Sequence, residues 1–273
     1  MKIIVDEMEV DLKVGCDPEV FVSRQGQLVS GHGMVPGLKD SPHKTSKGAI
    51  QVDGMALEFN IDPANSEQEF YENVKATMDD LLSALPQGHE IEIQSTANFG
   101  KALIDSQPEE AKELGCSPDY NAYLDGGVNP KPDADLPFRT AAGHIHIGWT
   151  DGADILDPEH IELCCKVTKL MDLFLGVPSV LLDTDTQRRS MYGKAGAFRA
   201  KSYGVEYRVL SNFWLKTPAR VKWAYKQTAL VIREFLQGNT GDKYSIEEII
   251  NTSDRTKAQN LVSRIGIQLP ART

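Results

Sequence analysis

The sequence predicts an α+β fold, with an antiparallel or mixed sheet and helices packed on one side. Three observations carry this expectation. Short alternating or continuous apolar segments fill the first 60 residues and return at 89–95, 143–148 and 205–210. Longer segments with a helical apolar period lie between and after them. The resulting order is strands, helix, strands, helix, strand, helices. Nothing reads as a linker that forces a break, so residues 1–273 are expected to form one domain.

Residues 18–24 (PEVFVSR) and 55–60 (MALEFN) read as strands. The Gly-, Ser-, His- and Lys-rich stretch from Gly31 to Gly48 between them reads as a loop long enough to be functional. Ser66 and Glu69 form a capping-box pattern, followed by Phe70, Val74, Met78, Leu81 and Leu85 at helical spacing. Pro86 and Gly88 stop that helix. Residues 89–95 alternate as a strand. Residues 115–138 hold three Gly and four Pro and read as an irregular connection. GHIHIG at 143–148 is a short strand. Asp157-Pro158 opens a second helix through Ile161, Cys164, Val167, Met171 and Phe174. Residues 183–204 show little periodicity, and VEYRVL at 205–210 is a strand. Thr217-Pro218 opens a helix running to Gly238, Ser245 with Glu248 opens a short one, and a last helix and tail follow.

Composition narrows the function. The 29 basic and 39 acidic residues give a formal charge of −10, which argues against non-specific nucleic-acid binding. The longest apolar stretch, Leu173 to Leu182, carries Gly176, Pro178 and Ser179 and is too short to span a membrane. The N-terminus places acids where a signal peptide needs an apolar block. Cys164 and Cys165 are adjacent, Cys16 and Cys116 stand alone, and no zinc spacing occurs. A protein of a reducing cytoplasm is expected.

Strand periodicity then sorts the polar residues. Side chains at i and i+2 share a face. Asp17 and Glu19 point one way, together with Phe21, while Val20 and Val22 point the other. His144 and His146 share a face against Ile145 and Ile147. Glu206 and Arg208 share one against Val205, Tyr207 and Val209. Glu58 opposes Leu57 and Phe59. A half-exposed strand has the same pattern, so each segment alone is weak. Four together suit a hard divalent cation such as magnesium or manganese. Arg188, Arg189, Lys194, Arg199, Lys201 and Arg208 place six positive charges within 21 residues. Such a run is either a solvated basic loop or a phosphate clamp. Acids for metal beside cations for phosphate are what phosphoryl transfer needs.

These motifs resemble a known superfamily. GCDPEVFV resembles the first catalytic strand of glutamine synthetases, and GHIHIG their His-x-His strand. The Arg-rich segment ending in VEYRVLSNFW resembles their Glu-x-Arg strand. MALEFN resembles their second acidic strand, as also in glutamate–cysteine ligases. The nearest resemblance, strongest over 14–240, is to the phage-encoded COOH–NH2 ligase type 2 family. It implies a glutamine synthetase-like catalytic domain with a curved, mostly antiparallel sheet. It also implies an ATP-dependent carboxylate–amine ligase working through an acyl phosphate.

Carried over by motif, the resemblance implies metal ligands at Asp17, Glu19, Glu58, His144 and Glu206, with Gln51 or Asp53 as a further ligand. Asp17 stands where the synthetases usually have Glu. His146 would contact nucleotide or metal, with Arg188, Lys194 and Lys201 as further nucleotide contacts. Arg208, Arg199, Arg189 and Glu206 would act on the transferred phosphoryl group. Tyr120, Asn121 and Arg139 are substrate candidates in the loop walls. Asp125 and Asp53 are candidates for taking the amine's proton, and Cys164 and Cys165 read as packing residues. The implied cofactors are ATP and magnesium or manganese. The implied partners are a carboxylate and an amine (amino acid, peptide or protein), with oligomeric state open. Two other readings compete: a metal-dependent hydrolase built on His144 and His146, and a non-catalytic virion or binding protein that keeps the fold.

Overall fold

The computed structural model describes residues 2–5, 8–112, 119–130, 136–241 and 244–271, with side chains from Asp11 onward. Cys116 and parts of the 115–138 connection lie outside the described residues.

The strands are β1 (Lys2–Val5), β2 (Met8–Asp11), β3 (Lys13–Arg24), β4 (Gln27–Val29), β5 (His43–Lys44), β6 (Gly48–Asp53), β7 (Ala56–Ile61), β8 (His89–Glu92), β9 (Thr96–Asn98), β10 (Tyr120–Asn121), β11 (Gly127–Val128), β12 (Phe138–Thr140), β13 (Gly143–Gly148), β14 (Ala197–Lys201) and β15 (Gly204–Tyr207). The helices are α1 (Glu67–Ala84), α2 (Lys101–Asp105), α3 (Glu109–Lys112), α4 (Pro158–Met171), α5 (Val177–Leu182), α6 (Gln187–Met191), α7 (Pro218–Leu236), α8 (Ile246–Asn251) and α9 (Arg255–Ile265).

One sheet runs in the order β11-β10-β14-β15-β13-β3-β7-β6-β5, with β4 and β8 also paired to β3. Every pairing among the described strands is antiparallel. The α+β class and the mostly antiparallel sheet expected from the sequence are therefore present. Strand β3 is long enough to serve four neighbours. Its first half pairs with β13, Glu19 and Val20 pair with β7, residues 21–24 pair with β8, and residues 22–24 pair with β4.

The main core fills one face of this sheet. Val20, Val22, Leu57, Phe59, Ile145, Ile147, Val205 and Tyr207 meet residues of α1, α4, α5, α7, α8 and α9 there. Burying such side chains supplies roughly 1.5–3 kcal/mol each before entropy is charged. The α1 capping box is shifted by one residue from the sequence pattern. Ser66 Oγ accepts from Glu69 N–H, but Glu69 Oε2 accepts from Asn65 N–H rather than from the cap. The second helix ends at Met171. A π-helical segment, Asp172–Gly176, then leads into α5.

On the opposite face the sheet carries the polar residues and a second, smaller cluster. Phe21, Met55, Ala97, Phe99, Ile104 and Ala141 pack together there. Phe21, expected on the acidic face, is fully buried against the edge of Phe99, with ring centroids 5.7 Å apart. The β9–β12 pair sits over that cluster and walls the polar face at one end. Among the described residues no helix is long and apolar enough to cross a membrane.

Candidate functional site

The register of six strands sets out the site. His144 lies opposite Asp17, His146 opposite Glu206, Arg199 opposite Glu206, and Glu58 between Glu19 and Gln51. Strand alternation turns these side chains to the same face. All but His146 open onto a cavity of about 340 Å³, which Asp53, Asp119, Arg139, Arg188, Lys201 and Arg208 also line.

Two groups of ligand atoms emerge. Asp17, His144 and Glu206 each offer an atom within 4.8 Å of the others, and so do Glu19, Asp53 and Glu58. In the first group Asp17 Oδ1 lies 3.2 Å from His144 Nδ1 and 2.9 Å from His146 Nε2, without a well-aligned hydrogen bond. Glu206 is 1% exposed, and its Oε2 is likewise short of a hydrogen bond although Lys201 Nζ is 2.7 Å away. Burial pushes the Asp17 carboxyl up, but the two imidazoles outweigh it and hold it well below the usual range. Burial and Asp17 push Glu206 up, yet Arg208 and the imidazoles bring it down to about 2.

The second group behaves oppositely. Burial and the neighbouring Asp53 raise Glu19 to about 7, even though its Oε2 accepts from Ala142 N–H at 2.8 Å. Burial and the charges of Asp17, Asp53 and Glu19 raise Glu58 well above its usual range. Three carboxylates held this close repel one another unless protons or a cation compensate. Carboxylate oxygens, joined in the first group by one imidazole, are donors that suit magnesium or manganese. Of the two residues left open, Asp53 joins the second group, and Gln51 Nε2 donates to Glu58 Oε1 at 3.2 Å.

Cations close the other side. Arg208 donates to Glu206 and to Asp119, and its Nη1 lies 3.3 Å from His144 Nδ1. Arg199 lies 3.6 Å from Glu206 and 3.9 Å from Asp119. Asp119 was not legible in the sequence, because its only signal is contact with two arginines distant in the chain. Arg188 lines the cavity, but it also donates from Nη1 to Val209 O at 2.9 Å and so braces the β15 exit. Burial lowers its guanidinium to about 10.

His146 faces a neighbouring cavity of about 680 Å³, lined also by Trp149, Tyr203, Ile61 and Pro63. Asp17 and Asn60 border both cavities. The Tyr203 hydroxyl is hydrogen-bonded to His146 Nδ1.

Four expected site residues lie elsewhere, and for them the sequence expectation is corrected. Arg189 points into the helix layer, where its Nη2 donates to Ser179 Oγ at 2.7 Å and Nη1 to Ser253 Oγ. It follows Arg188 on α6, and a helix turns adjacent residues to different directions. Lys194 is exposed and lines neither cavity. Asn121 is spent as a cap, accepting from Tyr123 N–H at 2.8 Å and donating to Asn129. Tyr120 packs against Phe198, with ring centroids 6.0 Å apart. Arg139 does line the cavity. Cys164 and Cys165 are buried in the main core, where burial pushes their thiols up to about 12 and about 11.

The face therefore sets two groups of side chains that could hold a divalent cation beside a row of cationic side chains. Residues 134–269, about half the chain, match the model of the family described as Phage phiEco32-like COOH.NH2 ligase-type 2. The resemblance read from the motifs is thus shown over that segment, which includes β13, β14 and β15. No curated protein matches the chain. Among solved structures, a bifunctional glutathione synthetase from Pasteurella multocida matches with a TM-score of 0.41 and 12% identity, over 94% of this chain and 49% of that one. A novel glutamine synthase homolog matches with a TM-score of 0.35 and 10% identity, over 93% of this chain and 66% of that one. The chain spans about half the length of the first.

Proposed function

We infer that this protein is an ATP-dependent carboxylate–amine ligase that activates its carboxylate as an acyl phosphate. The observation that carries the reading is the pairing of two carboxylate-rich ligand groups with Arg199, Lys201 and Arg208 on one cavity. A hydrolase built on the two histidines has no use for that clamp.

Asp17, His144 and Glu206 would hold one divalent ion, and Glu19, Asp53 and Glu58 a second. Such ions supply positive charge that offsets the charge of the ATP phosphates. Arg208 and Arg199 present fixed donors to the transferred phosphoryl group and stay charged throughout. A carboxylate oxygen attacks the γ-phosphorus, and the bond to ADP breaks. The amine lone pair then attacks the acyl carbon, phosphate departs with the C–O bonding pair, and the amine's proton passes to a carboxylate of the cavity. The amide, ADP and phosphate are the products. His146, Trp149 and Tyr203 form the surface for the nucleoside end in the neighbouring cavity.

The test is calorimetric titration of Mg-ATP into the wild type and into Glu206→Ala. The expected result is binding by the first and a loss of about tenfold or more in the second, worth roughly 1.4 kcal/mol. Folded wild-type protein that ignores Mg-ATP would sink the reading.

A further inference from the structure

Most cations lining the 340 Å³ cavity face a carboxylate. Arg208 and Arg199 face Asp119 and Glu206, Lys201 faces Glu206, and Lys39 is 3.8 Å from Asp53. Arg188 has the charges of Glu19 and Asp183 acting on it. Neither Arg188 nor Arg139 forms an ion pair among the described residues, but Arg139, only 5% exposed, has no acid among them acting on it. Its Nη1 donates to Leu136 O and Phe138 O, both at 3.0 Å, and its Nη2 reaches Lys112 O at 3.4 Å.

A guanidinium has five N–H donors. Three go to these neutral carbonyls. Among the described residues Nε is buried without a partner, and one Nη2 hydrogen remains. Nε and Nη2 share one edge of the planar group, the spacing that takes both oxygens of a carboxylate. Arginine does not shed its charge to escape burial. A buried, uncompensated charge costs several kcal/mol, and an anion in the cavity removes that cost. Burial lowers the guanidinium's affinity for its proton, and only the Tyr192 phenol, which also lines the cavity, acts the other way. Arg139 stands on β12, in the small β9–β12 pair, outside the central sheet that carries Arg199, Lys201 and Arg208. Arg139 thus approaches the shared cavity from a different element than that clamp.

We propose that the unpaired edge of Arg139 binds a second, non-reacting carboxylate of a substrate, so that one of the two substrates must carry a carboxylate beyond the groups being joined. This rests on the ligase reading for the identity of the reacting groups, but not for the binding itself. The extra carboxylate comes either from a dicarboxylic acyl substrate or from an amine that is an amino acid.

Two matched pairs of probes separate the sources. Glutarate and butyrate test the acyl substrate, and glycine and methylamine test the amine. Each is titrated calorimetrically into the wild type and into Arg139→Gln, with Mg-ATP affinity measured alongside. The expected result is that one carboxylate-bearing probe binds about tenfold or more tighter than its partner, and that Arg139→Gln abolishes the preference while leaving Mg-ATP affinity unchanged. Arg139→Lys, which keeps the charge but not the fork, should retain a weaker preference. It also serves as the variant if Arg139→Gln fails to fold. Wild-type protein with no preference in either pair, no binding of any probe, a preference that survives both substitutions, or a loss of Mg-ATP affinity in Arg139→Gln each overturns the proposal. ADP release assayed with the same probes keeps the two readings apart. Binding that depends on Arg139 without ADP release removes the ligase and keeps the subsite. ADP release indifferent to Arg139 does the reverse.

Discussion

The Tyr207 hydroxyl donates to Asp172 Oδ1 at 2.6 Å, joining the strand between Glu206 and Arg208 to the π-helical segment beneath the sheet. Both residues are fully buried. The other oxygen of Asp172 accepts from Gly196 N–H at 2.7 Å, just before the strand that carries Arg199 and Lys201. One carboxyl thus ties both strands of the β14–β15 hairpin. The approach depends on Gly176, where a Cβ would stand 2.7 Å from the Tyr207 hydroxyl. Burial raises Asp172 to about 7 despite these bonds.

Tyr207→Phe should therefore act on the site from the far side of the sheet. Leaving a buried acceptor unsatisfied costs about 1–3 kcal/mol. The expected outcome is that loss in urea unfolding together with weaker Mg-ATP binding, although Tyr207 does not line the cavity. Lost stability with unchanged Mg-ATP affinity would mean the hairpin needs no such tie.

Divalent binding should be pH-dependent through Glu19 and Glu58. Both carboxyls are raised, so the folded protein holds protons there that the unfolded chain has released. For Glu19 the window runs from about 4.5 to about 7. Its influence on stability without divalent ions becomes less favourable as pH rises through that window. Magnesium affinity should rise over the same range, because the ion displaces those protons. Thermal unfolding at pH 5 and pH 8, with chelator and with magnesium, checks this. Glu19→Gln should flatten the fall seen with chelator, and an unchanged slope contradicts the assignment.

Arg189 and Arg199 should separate stability from binding. Arg189→Gln removes two hydrogen bonds to serine hydroxyls in the helix layer, the one to Ser179 buried, and is expected to cost about 1–3 kcal/mol with Mg-ATP affinity intact. Arg199→Gln should weaken Mg-ATP binding while changing the urea midpoint little, since that side chain is only partly buried. The reverse pattern would return Arg189 to the site.

Asp119→Asn should divide binding from turnover. Its charge offsets Arg208 and Arg199 and orients them. Without it the clamp is more positive, so Mg-ATP affinity should hold or rise. A less ordered Arg208 should lower kcat by about tenfold or more, since misplacing a catalytic group by 1 Å costs of that order or more. Parallel loss of both would assign Asp119 to nucleotide binding.

The sequence by itself determined which face each strand turns to the site. Two-residue alternation is local, and Glu58 set against Leu57 and Phe59, or His144 against Ile145, needs no partner to be read. Helices α1, α4 and α7 were legible for the same reason, from capping residues and a helical apolar period. The tertiary structure alone decided what meets what. Arg188 and Arg189 are indistinguishable in the sequence, and only the packing of α6 sends one to the cavity and the other to Ser179. Asp119 acquires its role from arginines 80 and 89 positions away. Asp53 joins Glu19 and Glu58 because β6 pairs with β7 and β7 with β3. Periodicity is set by backbone geometry within a few residues, whereas charge compensation depends on distances that exist only once the strands are in register.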